Sequence, residues 1–148
     1  MNEFTQRDNT RNQSAADISH KHIFLFDNKF SDGIFNNNTG DDYTLKPGTV
    51  VIRDTAAPTK LIPAVAGATL ANIVGVIATN SDIEDIADDA DVEVPFCHGG
   101  TVDQGLLILP AGVTLDTVHT AGAKTVGDIL RGLGFELRAT VEHTKFDN

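Results

Sequence analysis

Cys97 and His98 are neighbours, and with His119 they supply the groups of a thiolate–imidazole nucleophile. A cysteine beside its own histidine in an apolar strand reads instead as a packed residue next to a turn. Residues 82–93 carry seven carboxylates, Asp82, Glu84, Asp85, Asp88, Asp89, Asp91 and Glu93. A calcium loop of EF-hand type needs ligands at alternate positions and a glycine at the sixth, which Asp85-Ile86-Ala87 and Asp89-Ala90-Asp91-Val92-Glu93-Val94 do not provide. The run is therefore expected to be a solvated acidic turn, with a weak cation site as the alternative. Zinc needs about four Cys or His ligands, and His20, His22, Cys97, His98, His119 and His143 show no paired spacing. Gly122-Ala123-Lys124-Thr125 lacks the upstream glycine of a phosphate loop, and no serine sits in a GxSxG elbow. The sequence thus predicts no catalytic residue, no metal site and no cofactor, and the chain is expected not to be an enzyme.

Composition narrows the partners. The 148 residues suit one domain, long enough to bury a core without disulfides, and the single cysteine cannot form an internal one. A soluble chain made in a reducing cytoplasm is expected. A net charge of −10 repels phosphate backbones and anionic membrane surfaces alike, so neither nucleic acid nor membrane is an expected partner. No run approaches the roughly 18 apolar residues that cross a bilayer, and the N-terminus lacks the apolar core of a signal peptide.

The elements centre on residues 73–102. Ile73-Val74-Gly75-Val76-Ile77 is apolar and β-branched and predicts a strand buried on both faces. Val92, Val94 and Phe96 share one face of a following strand, and His98-Gly99-Gly100 predicts a turn back. Upstream, Ile23-Phe24-Leu25-Phe26 predicts a short strand broken by Asp27-Asn28-Lys29 and Ser31-Asp32-Gly33, and residues 36–42 a loop. The Asn37-Asn38-Thr39 sequon carries no meaning without a secretory signal. Val50-Val51-Ile52, entered by Pro47-Gly48, is expected to pair with Lys60-Leu61-Ile62, which Pro58 and Pro63 restrict to a short edge element.

Downstream, Leu106-Leu107-Ile108-Leu109 predicts another strand buried on both faces. Thr125 and Asp128 form a capping box for two helical turns ended by Gly134, and Phe135, Leu137, Ala139 and Val141 alternate inward in a closing strand. The fold class is mostly β: a small barrel-like or sandwich-like body with one short helix near the C-terminus. Phe96, Leu106, Ile108, Phe135 and Leu137 are the residues expected to pack the core or a contact between copies.

Residues 1–20 read differently. They hold few apolar groups, and fixing a backbone residue costs about 1–2 kcal/mol against about 1.5–3 kcal/mol returned by one buried Phe. This segment is expected to be an extended arm that orders only on a partner, ahead of a single domain over residues 21–148.

The order of Leu45-x-Pro-Gly-Thr-Val-Val, Leu61-Ile-Pro-Ala, Val74-Gly-Val-Ile-Ala, an acidic connection, Val92-x-Val with Gly99-Gly100-Thr-Val, Leu106-Leu107-Ile-Leu-Pro and Thr125-Val-x-Asp-x-Leu-x-x-x-Gly-Phe-x-Leu resembles tailed-phage head decoration proteins. The likeness is to the capsid cement group similar to the lambda head decoration protein, and it covers about residues 45–141. It implies a small β-rich trimer on the outer surface of the expanded capsid, made in the host cytoplasm and stabilising the virion, with an N-terminal arm touching the major capsid protein. Phe4, Arg7, Arg11 and Ile18 are the arm residues expected to make that contact. The longer N-terminal region with its own Phe-rich strand departs from the pattern. The competing class is a carbohydrate- or host-surface-binding module displayed on a particle, whose mark would be a cluster of exposed aromatics; with no Trp and one Tyr, at position 43, it is disfavoured.

Overall fold

A computed structural model describes residues 23–119 and 122–139. Among the described residues, eight strands and one α-helix follow in the order β1 (Phe24–Asn36), β2 (Tyr43–Leu45), β3 (Val50–Arg53), β4 (Lys60–Pro63), β5 (Ile73–Ile77), β6 (Ile83–Ile86), β7 (Asp91–Asp103), α1 (Val126–Gly132) and β8 (Phe135–Arg138). Strands β1, β4, β3, β5 and β7 are neighbours in that order, and β1 also pairs with β7, which closes a five-stranded barrel. Closure leaves these five with little free edge. Strand β8 adds parallel to β7 outside the ring, and β2 pairs with β6 in a separate ribbon.

Consecutive strand residues face opposite ways, so two cores form from the same strands. Phe35, Val51, Leu61, Ile77, Val94 and Phe96 fill the barrel, joined by Leu45 and Ile86 from the ribbon. Their neighbours Val50, Ile52, Ile62, Val76 and Cys97 face outward into a second cluster with Leu130 of α1, Val126 and Phe135. The helix forms where the capping box lies: the Thr125 hydroxyl accepts from Asp128 N–H, and the Asp128 carboxylate accepts from Thr125 N–H. Gly134, at φ 106, ends it.

Several expectations from the sequence are corrected. Strand β1 is one continuous element through the turn formers between Asp27 and Gly33, because β7 pairs with it along its length. Register shifts between Phe24 and Phe30 absorb Asp27, at φ 55, and Asn28 donates through Nδ2 to Thr101 O at 3.0 Å. Gly99-Gly100 is not a turn. Gly100 lies within β7 at φ 108, where a Cβ would meet Asn28 Cα at 2.6 Å, so glycine is what lets the bulged β1 pass.

Strand β4 is no edge element: it lies between β3 and β1, parallel to β1 with Ile34 opposite Lys60 and Phe35 opposite Leu61. The acidic run is not one turn, since Ile83–Ile86 is a strand that buries Ile86. Residues 105–110 form no doubly buried strand. A 3-10 turn at Gln104–Leu106 and a lone bridge from Ile108 to Thr49 leave Leu106 and Ile108 41% and 40% exposed. The closing strand stops at Arg138, with Ala139 exposed, and Val141 lies outside the described residues.

Candidate interaction surface

Strand β1, one of two 13-residue strands, carries the surface of interest. Phe26, Phe30 and Ile34 stand opposite Thr101, Cys97 and Glu93, every fourth residue of β7, and so share one side of β1. Gly33 and Phe35 take the other side, toward the barrel interior. The three apolar side chains are 51%, 53% and 38% exposed and form a stripe about 26 Å long at ~3.3 Å per strand residue. The Phe24 ring meets the Phe30 ring edge-on, with centroids 5.6 Å apart, and leans inward on the outer core. Arg138 holds its guanidinium 5.2 Å from the Phe26 ring centre and donates to Glu136 Oε1 at 3.1 Å. The bulges that twist this half of β1 also blunt it as an edge for strand addition.

Charge is distributed unevenly along the same strand. Around its far end gather Asp41 and Asp42 in the following loop, Asp82, Glu84 and Asp85 at β6, and Asp88 and Asp89 in the next turn. Asn37 organises these loops. Fully buried, it donates through Nδ2 to Ile86 O at 2.8 Å and Asp41 O at 2.7 Å and accepts from the Thr39 hydroxyl and N–H. Its amide is therefore committed to the fold. Among the described residues, no three His, Cys, Asp or Glu side chains converge on a point that could hold a metal ion.

One cluster joins an amine, a carboxamide and a carboxylate. Lys60 Nζ lies 2.9 Å from Asp91 Oδ2, and Asn36 Nδ2 donates to Asp91 Oδ1 at 2.8 Å. Amide-forming chemistry would need a neutral amine. The hydrogen bond to Asp91 instead raises the Lys60 pKa, while those from Asn36 and Lys60 lower that of Asp91, so the pair stays charged. The cluster is a tie across β4, β1 and β7.

The thiolate–imidazole arrangement does not assemble from neighbours. Cys97 is buried in the outer core, where burial pushes its thiol pKa up, and its S–H points to Gly99 O at 3.0 Å. The His98 ring stands beside Phe96 instead, 6.1 Å between centroids. Thr125 of the glycine–lysine segment serves the helix cap.

Of the residues expected to pack, Phe96 lies in the barrel core, Phe135 in the outer core, and Leu137 leans on the latter. Phe4, Arg7, Arg11 and Ile18, with His20, His22 and His143, lie outside the described residues. Sequence reasoning missed the stripe, although Phe26, Phe30 and Ile34 recur at an even spacing that puts them on one strand face. The intervening turn formers hid it. No protein-family model matches the chain, and no curated protein matches it either.

Proposed function

We propose that this protein is a structural decoration, or cement, protein of a tailed-phage head. It sits on the outer surface of the expanded capsid as a trimer and is held by residues 1–20 against the major capsid protein. One observation carries the reading beyond the resemblance. The described chain enters and leaves its barrel at one pole: Ile23 O accepts from Asp103 N–H at 2.8 Å, and Arg138 stands opposite Asp103 in the β7–β8 register. The acidic loops lie at the other end of β1 and β7. Segments flanking the body can thus engage one surface while the barrel stays intact. Three tethered arms on one trimer would raise apparent affinity by roughly 10²–10⁴ without new contact chemistry.

Purified protein mixed with expanded empty capsids should co-sediment to a saturating occupancy and raise the temperature at which the shells rupture. No co-sedimentation at any ratio would end this reading. A second reading, a host-surface or carbohydrate-binding module displayed on a particle, is favoured by the exposed Phe26 and Phe30 rings. It predicts binding to cells or glycans that is lost on replacing those two residues, with capsid binding unaffected.

A further inference from the structure

We propose that residues 140–148 fold back onto their own domain as a strap that seats Phe146 in the cleft between α1 and residues 107–116. The cleft holds about 510 Å³. Leu107, Leu109 and Leu115 line it, half-buried against the outer core, and Gln104, Asp116 and Arg131 bring polar groups to it.

The point where the described chain leaves the fold selects the occupant. Arg138 stands opposite Asp103, and paired strands lie about 4.8 Å apart, so residue 139 emerges beside Gln104 at the cleft wall. At ~3.3 Å per extended residue, the nine residues 140–148 reach about 30 Å, enough to cross it. Tethering gives such a segment an effective concentration on the order of millimolar, so a modest contact suffices.

Charge points the same way. Arg131 folds its guanidinium back over the first turn of α1, where a Cβ on Gly127 would meet Nη1 at 3.2 Å, and that nitrogen lies 3.5 Å from Asp128 Oδ1. Asp116 is exposed on the rim, so the cleft carries both signs. Lys145-Phe146-Asp147 sets a ring between a base and an acid, and offers Asp147 to Arg131 and Lys145 to Asp116. Residues 1–22, which enter at the same pole, place no apolar residue between a base and an acid. The inference does not rest on the capsid reading, and it leaves residues 1–20 as the segment open to a partner.

The test is intrachain disulfide formation in the full chain under mild oxidation, which needs the two Cα atoms within about 7 Å. Thr114→Cys with Phe146→Cys, the first at an exposed position on the cleft, should cross-link at least tenfold faster than Glu84→Cys with Phe146→Cys, where Glu84 is exposed at the acidic end of the barrel. Cys97, fully buried, stays out of the exchange. Arg131→Glu should slow the first cross-link at least threefold, and adding Asp147→Arg should restore it. Equal rates in the two pairs, or cross-links only between copies, would overturn the proposal. Faster cross-linking of Thr114→Cys with Ile18→Cys than with Phe146→Cys would give the cleft to the N-terminal segment and overturn it as well.

Discussion

A Cβ placed on Gly75 would lie 2.8 Å from Cδ2 of Phe96, so the barrel closes around the Phe96 ring only because residue 75 has no side chain. A Cβ added to Gly33, in β1, would meet the same ring at 3.1 Å from Cε1 and Leu61 Cδ1 at 2.8 Å. Overpacking a filled core costs about 1–3 kcal/mol, and the backbone carbonyl of Cys97 also blocks the Gly75 site. Gly75→Ala should therefore lower stability to urea by at least about 2 kcal/mol. Gly33→Ala, whose neighbours are side-chain ends that can shift, should cost about 1 kcal/mol.

Asn37 is the next place where one side chain matters more than its sequence context suggests. Asn37→Ala leaves the carbonyl of Ile86 without that donor in a buried site, a loss of about 1–3 kcal/mol. Amide exchange should speed first in the 37–42 loop and in β6. Unchanged exchange there would show that the loop holds without it.

The Lys60–Asp91 pair should shape stability against pH at both extremes. Asp91 has its folded pKa below the ordinary 3.8, so its contribution is present above that value and is lost as pH falls through the folded one. Lys60 has its folded pKa above 10.5, so its contribution is present below 10.5 and is lost as pH rises through the folded value. Asp91→Asn should flatten both limbs of the melting temperature against pH. Slopes identical to those of the unsubstituted protein would remove the pair as their source.

Replacing Asp85, Asp88 and Asp89 together with Asn should barely change folding, since exposed charges contribute about 0–1 kcal/mol each. Asn also tolerates the positive φ that Asp85 and Asp89 adopt, 55° and 63°. A large loss of stability rescued by calcium would instead make the loops a cation site.

Deleting residues 1–20 should leave the melting temperature nearly unchanged, because both described cores are built from residues after 22. Occupancy on expanded capsids should fall greatly. Full occupancy by the shortened protein would place attachment in the barrel, and failure to fold would make those residues part of the core.

The sequence by itself determined the local elements whose signals are local. Thr125 with Asp128 specified a helix start, the apolar run at residues 73–77 a buried strand, and the spacing of Val50-Val51-Ile52 and Lys60-Leu61-Ile62 a hairpin. Mostly β character followed from those runs. Tertiary structure alone decided that Asp27 to Gly33 stays within one bulged strand and that Gly99-Gly100 continues a strand. Each segment reads as a turn in isolation, but β1 and β7 satisfy one another's backbone groups over their length, and that gain outweighs local preference. The parallel pairing of β1 with β4, which closes the barrel, depends on residues some 26 positions apart and leaves no mark on either segment. The exposed stripe is legible only after that closure, because which side of β1 faces out is fixed by Gly33 and Phe35 turning in.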